Sequence, residues 1–576
     1  MRIPHHLSRS ETGRWSFVQR VPVDLEEGLI VVRPHLLLAG SGPRAISLAI
    51  VARGNRARLS GPHVCISMEG SLMPSINRIV PGSLFPGPLS TRLIVASLAL
   101  MALAPLAAAQ SLSPAIESRI ARVEHGLSTR VVVKGAPDAK ASIAARMAFY
   151  DVPSVSIALI NDGHIEWARA YGVLNTNEQG AATPASLFQA GSISKPISAL
   201  GALRLVEQGT LSLDAPANGQ LHAWKIPDNH FTRQRPVTLR GLLNHSAGMN
   251  VHGFYGYAQG EPVPSLLQVL DGVAPAKSEA VRVEATPGTE WKYSGGGYSV
   301  VQLMMMEAAG HSFPELMQAL VFTPLDMKDS TFALTLPSAW RARAATAHDS
   351  DGRPLAGGWH VYPQSAAAAL WTTPTDLAKV VVDIQQAYSG KPGKVLSSAM
   401  TSTMLSRGLG EYGLGLYVEK LGGGTSFSHS GGTDGFRSQL YGYTHTGQGI
   451  VVMTNSDNGA ALIDEILVSV AAEYGWPEFQ ITEKVALDSD PAVNATLAGH
   501  YILAGKPAQI IAEGDRLYLQ SELFAKQPMQ LFAESKTRFF MTAQDMTVEF
   551  QQVGREKPSS FSLGRGNSTY VAVSAE

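Results

Sequence analysis

Ser192 and Lys195 stand three residues apart in the stretch AGSISK. At the start of a helix this spacing puts both side chains on one face, with Cβ atoms about 5–6 Å apart. A serine hydroxyl is a poor nucleophile at neutral pH and needs a base beside it and a way to stabilise the developing alkoxide. A lysine serves as that base when burial or positive surroundings lower its pKa. A helix N-terminus adds a positive dipole end and free N–H groups. S-x-x-K alone also fits a helix cap followed by a solvated lysine. Two further elements change the weighting. In WKYSGGGYS, Tyr293 offers a phenol that can shuttle a proton to a leaving group. In FSHSGGTDGF, His429, Ser430 and Gly431 sit on what reads as a strand edge entering a glycine-rich turn. There a substrate can approach the backbone, and an imidazole, neutral or cationic, would lie beside the acyl site.

The flanking sequence supplies the elements that must hold these groups. PSVSIALI, Pro153 to Ile160, reads as a buried strand; Asp162-Gly163 is a hairpin signal, and IEWARAYG, Ile165 to Gly172, is the second arm. From Ser192 to Gln208 apolar residues fall on more than one face, ending at Gly209, which predicts a buried helix. Helices are also predicted over Thr238–Asn244, Gly297–Ala309 and Thr375–Tyr388, the last behind the cap pattern of Thr373, Pro374 and Asp376. Strands return at Leu414–Leu421, Ser438–Thr444 and Gly449–Asn455. Helices in the middle and strands at both ends predict one antiparallel sheet, assembled from remote parts of the chain, against a helical region. Residues 476–494 are polar and proline-punctuated, as in a linker, and 495–576 read as a small all-β domain.

In VPSVSIALINDGHIEWARAYG, LFQAGSISK, VTLRGLLNHSAGM, PGTEWKYSGGGYSVVQ, LWTTPTDLAKVV and HSGGTDGFRS, the chain resembles the serine β-lactamase and penicillin-binding-protein superfamily, particularly its class C-like hydrolases, over roughly residues 135–475. The resemblance implies an α/β (α+β) fold: an antiparallel sheet flanked by helices plus an all-helical subdomain, and an acyl-enzyme route needing no metal or cofactor. Ser192 then matches the nucleophile, Lys195 its general base, Tyr293 the proton shuttle and His429 the lysine of the K-T-G strand. The backbone N–H groups of Ser192 and Gly432 would form the oxyanion hole. Residues 495–576 resemble the lipocalin-like modules that follow such domains. Two positions depart from the pattern. Gly295 replaces the amide side chain of Y-x-N, and His429-Ser430-Gly431 replaces K-T-G, exchanging a permanent cation for a titratable group. Both weaken recognition of a β-lactam carboxylate, so an exported serine hydrolase acting on an ester, amide or small peptide is expected. Rival readings are a β-lactamase or D-Ala-D-Ala carboxypeptidase, and a penicillin-recognising sensor that does not turn over.

The 46 basic and 47 acidic residues nearly cancel, with no basic run to neutralise phosphates, so a nucleic-acid partner is not expected. The partner is a small molecule or peptide. Cys65 is the single cysteine and lies far upstream, which excludes a disulfide framework, a cysteine-based metal site and a lipoprotein anchor behind the apolar run. That run, Leu93 to Ala109, follows Arg92 and ends in Pro105 and Ala107-Ala108-Ala109. It reads as a secretory signal cleaved after Ala109, giving a periplasmic or secreted protein without a stable membrane anchor, since it is short and proline-broken for a span. Translation from Met68 or Met73 would put this signal (73–109) at the start and make residues 1–72 a start-site artefact or disordered extension. The hydrolase domain would be 110–475. Two other features carry no chemistry. Gly408 to Gly413 fits G-x-G-x-x-G but leads into a strand, not a helix, and His245 among apolar neighbours reads as a packed helix-end histidine. Neither G-x-S-x-G nor H-E-x-x-H occurs.

Overall fold

The computed structural model describes residues 6–9, 15–18 and 112–575, apart from 138–139, 179, 422–423, 522–524, 544, 552–556 and 566–567. The apolar run Leu93–Ala109, Cys65, Met68 and Met73 lie outside the described residues. The chain divides into two units, Met1–Ala107 and Ala108–Glu576. In the first, His6–Arg9 pairs antiparallel with Trp15–Val18.

The second unit is built on a six-stranded antiparallel sheet. Its order is His164–Gly172, Ser154–Asn161, Gly449–Thr454, Phe436–Tyr443, Gly424–Thr433, Tyr417–Leu421. Ser154–Asn161 is buried on both faces, and its side chains alternate between two cores. Val155, Ile157 and Leu159 pack with Ile120 of helix Pro114–Glu124 and Ile466 of helix Gly459–Tyr474. Ala158 and Ile160 join the larger core, which holds the helices Ser194–Glu207, Gly295–Ala309 and Pro374–Tyr388. The hairpin behaves as its sequence predicts: Asp162 and Gly163 both take positive φ, 51° and 72°, at the tight turn joining the first two strands. This mixed α/β architecture, with a helical region beside the sheet, is the one expected.

Local corrections are small and have simple causes. The helix expected from Ser192 begins as a tight turn, Gly191–Ile193, and becomes α-helical at Ser194, running to Glu207. The helix expected from Gly297 starts at Gly295, because the Ser294 hydroxyl accepts the Gly297 N–H as an N-cap. Thr373 caps Pro374–Tyr388 through the Asp376 N–H as its sequence implies. His429 lies on a strand at an open sheet edge, as expected, since pairing with the outermost strand stops at Ser428, but the turn does not follow it directly. Its strand runs through Gly431 and Gly432 to Thr433; residues 426–428 are paired on both sides, by Tyr417–Leu421 and Phe436–Tyr443, and residues 429–433 by Phe436–Tyr443 alone. The turn falls at Asp434-Gly435.

The C-terminal region is a closed barrel of eight antiparallel strands from Gly499–Leu503 to Ser568–Ser574, the last pairing back onto the first. Alternate residues such as Leu517 and Leu519, or Val548 and Phe550, point inward and fill it together with Tyr501, Phe539 and Phe561. Eight strands leave an interior just wide enough for such side chains. Within 476–494, Trp476 is 1% exposed, and Thr482–Lys484 pairs in parallel with Val131–Val133. Leu487 then bridges to Ala533 of the barrel. Among the described residues no helix is long and apolar enough to cross a membrane.

Candidate active site

Ser192 lies in the tight turn that feeds the buried helix Ser194–Glu207, and Gly191 makes the turn possible with φ 53°. Side chains are barely tolerated there: a Cβ on Gly191 would stand 2.5 Å from the Gly432 nitrogen. One on Gly431 would stand 1.9 Å from the Ala190 carbonyl oxygen, to which the Ser438 hydroxyl donates at 3.0 Å. The glycines therefore let the nucleophile turn and the His429 strand lie backbone to backbone. The turn that carries Ser192 thus lies against Gly432.

Lys195 is 2% exposed, and its Nζ lies 3.0 Å from Ser192 Oγ while donating to the Ala367 carbonyl at 3.0 Å. Burial lowers its pKa from 10.5 to about 7, so near neutrality a large fraction is the uncharged amine. The Tyr293 hydroxyl lies beside the Ser192 side chain, and its ring centroid is 4.9 Å from Lys195 Nζ. Burial pushes the Tyr293 pKa up, which keeps it a phenol. The two groups are thereby pushed apart in acidity: the amine is the better base, and the phenol retains a proton to give.

His429 is 2% exposed and sits 6.3 Å from Tyr293 between ring centroids. Its Nδ1 lies 2.5 Å from the Ser430 carbonyl and its Nε2 2.9 Å from the Tyr412 hydroxyl. Burial first, then the Lys195 charge, lowers its pKa to about 3. It is therefore neutral, with Nδ1–H donating to Ser430 and Nε2 accepting from Tyr412, a tautomer assigned from these partners. Burial thus favours the neutral imidazole over the cationic one at His429. Gly295 does not line the cleft around Ser192: it is buried, its N–H donates to the His252 carbonyl at 3.1 Å, and a Cβ there would meet Phe254 at 3.0 Å.

Ser192, Tyr293, His429, Ser430 and Gly432 line one cleft of ≈ 580 Å³, together with His252, Glu279, Glu284, Trp291, Lys292 and Tyr417. Lys195 and Gly431 are not among the lining residues: Lys195 meets the cleft through Ser192, and Gly431 packs against Ala190. Sequence reasoning missed Tyr412, Ala367 and the aromatic wall of Trp291 and Tyr417. The dismissed G-x-G run has a packing use: Gly410 takes φ 64°, and a Cβ on it would stand 2.4 Å from the Trp291 ring. Among the described residues no cluster of His, Cys, Asp or Glu could hold a metal ion.

A serine–lysine–tyrosine cluster on an antiparallel sheet beside a helical region defines a serine hydrolase of the β-lactamase and penicillin-binding-protein kind. The family model described as Beta-lactamase matches residues 139–473, and the chain belongs to that family. It is 25% identical over 435 residues to Penicillin-binding protein 4* of Bacillus subtilis (strain 168), covering 71% of this chain and 92% of that protein. Esterase EstB of Burkholderia gladioli is 29% identical over 233 residues, 37% of this chain and 57% of the esterase. The octameric penicillin-binding protein homologue from Pyrococcus abyssi shares the fold, with a TM-score of 0.52 at 21% identity, over 74% of this chain and 98% of that one.

Proposed function

We propose that this serine hydrolase is exported and opens a small, neutral or cationic ester, amide or peptide through an acyl-Ser192 intermediate. The observation that carries the reading is the 3.0 Å approach of Lys195 Nζ, held near neutrality by burial, to Ser192 Oγ. The uncharged Lys195 takes the Ser192 proton as Oγ attacks the carbonyl carbon, and the N–H groups of Ser192 and Gly432 stabilise the oxyanion. The tetrahedral intermediate collapses as the leaving alcohol or amine receives a proton through Tyr293. Water then attacks the acyl-enzyme, restoring Ser192 and releasing the acid.

Substrate charge follows from the cleft. His429 is neutral, and Lys292 is ion-paired to Glu284 at 2.5 Å, so an anionic substrate finds no unpaired lasting cation among the lining residues described above. Glu279 leans the balance further toward neutral or cationic substrates. The resemblance to an esterase over 233 residues supports this reading, and the longer match to a penicillin-binding protein supports the rival. A fluorophosphonate should form an adduct that maps to the peptide containing Ser192, and p-nitrophenyl acetate should be turned over far faster than nitrocefin. An adduct on another residue would remove the mechanism. Nitrocefin turnover equal to that of the ester would restore the β-lactamase reading, and a β-lactam adduct persisting for hours would favour the sensor.

Export rests on the uncharged run Leu93–Ala109 and its small-residue end. N-terminal sequencing of the mature protein is expected to begin at Gln110; mature protein beginning upstream of residue 93 would contradict it.

A further inference from the structure

We infer that His245 is the positioning residue of Tyr293, holding the phenol over Ser192 from both flanks. This rests on the proton-transfer role proposed for Tyr293. The His245 carbonyl accepts the Lys292 N–H at 2.8 Å, and its Nδ1 accepts the Ser294 N–H at 3.1 Å. One residue thus binds the backbone immediately before and immediately after Tyr293. Its ring also lies against the Tyr293 ring, with centroids 4.3 Å apart, and touches those of Tyr298 and Tyr412 at 5.4 and 4.8 Å.

Two observations separate this from ordinary packing. His245 is 2% exposed and takes a left-handed backbone, φ 61°. Such a conformation is sparsely populated outside glycine, and it turns carbonyl and ring toward the same segment. Because Nδ1 accepts, the ring proton is on Nε2, and that buried atom has no hydrogen-bond partner. A purely structural polar side chain would satisfy both nitrogens; here one is left without a partner while the other grips the tyrosine segment. Val251, also left-handed at φ 56°, accepts the Gly296 N–H on the far side of the same turn. Two of the nine non-glycine residues with positive φ among those described therefore bond the segment that carries Tyr293. Burial and the charge of Lys195 hold the imidazole neutral, so Nδ1 stays an acceptor.

The test is a double-mutant comparison on the full chain with a p-nitrophenyl ester. His245→Gly keeps the left-handed backbone and the carbonyl but removes Nδ1; it should lower kcat about 10- to 100-fold, with KM changed less than about threefold. His245→Asn, which tolerates the same backbone and supplies an oxygen acceptor, should recover most of that loss. In a Tyr293→Phe background, His245→Gly should cost less than about twofold, because its effect runs through the phenol. An equal loss in both backgrounds, or a loss in KM alone, would overturn the assignment. Full activity of Tyr293→Phe by itself would instead remove the role of Tyr293 on which the inference rests. In the wild-type protein, nitrogen-15 histidine spectra should give His245 as the Nε2–H tautomer, unprotonated at pH 6. An Nδ1–H tautomer there would overturn the assignment whether or not the variants fold.

Discussion

Replacing Lys195 by methionine is expected to lower kcat/KM by about 10²–10⁴, the usual contribution of a positioned general base, while making the protein harder to unfold. The two effects share one cause. An ammonium at this site is buried, and its pKa falls from 10.5 to about 7. Between those values the unfolded chain binds a proton that the native chain does not, so stability rises with pH across that window. The penalty is fully present below about pH 7. It is on the order of a few kcal/mol. Methionine fills a similar volume without a charge and relieves it. Urea midpoints at pH 6 should therefore move upward in Lys195→Met, and the gain should shrink toward pH 10. For the wild type, the rate of Ser192 acylation should climb with pH through about 7 and level off above it. A variant that unfolds more easily at pH 6, or a wild-type rate that does not climb between pH 6 and 8, would show that burial does not bring the Lys195 pKa down to that range.

Gly431→Ala is expected to cut kcat by about 10²–10³, the loss associated with one oxyanion donor. The new Cβ would fall 1.9 Å from the Ala190 carbonyl oxygen and 2.4 Å from Ser438 Oγ, both on rigid neighbours. The strand must then move away from the Gly191–Ile193 turn and carry the Gly432 N–H with it. Gly432→Ala is the matched control. Its Cβ meets only the Arg437 guanidinium, at 3.4 Å, and its N–H remains, so kcat should stay within about threefold. Equal kcat in the two variants would mean that the close approach of turn and strand does not set the oxyanion site.

The parts of this molecule that were legible in its sequence are those written in short-range code. Asp162-Gly163 demands a tight hairpin, Thr373 before Pro374 demands a helix start, and the spacing of Ser192 and Lys195 survives a change of local helix type at residue 194. The strand edge at His429 was legible, but the turn after it was placed too early because Gly431 and Gly432 look like one; they continue the strand to Thr433, and Gly431 is there for close approach to Ala190, 241 residues earlier in the chain. Distance in sequence also hid Tyr412, which fixes the His429 tautomer from a glycine run resembling a nucleotide loop. His245 was read correctly as packed, but its grip on residues 292 and 294 depends on a left-handed φ that no spacing announces.

The sheet order also sets a clock. Ile160 pairs with Gly449, so the strand Ser154–Asn161, second from the sheet edge, waits for its inner partner 289 residues further on. At roughly 5–20 residues per second of synthesis, that partner emerges roughly 15–60 s later. Until then a strand that is apolar on both faces has only its hairpin arm, and a two-stranded hairpin is marginal in water. The nascent chain thus stays open, and in need of protection, until nearly the whole hydrolase region has been made.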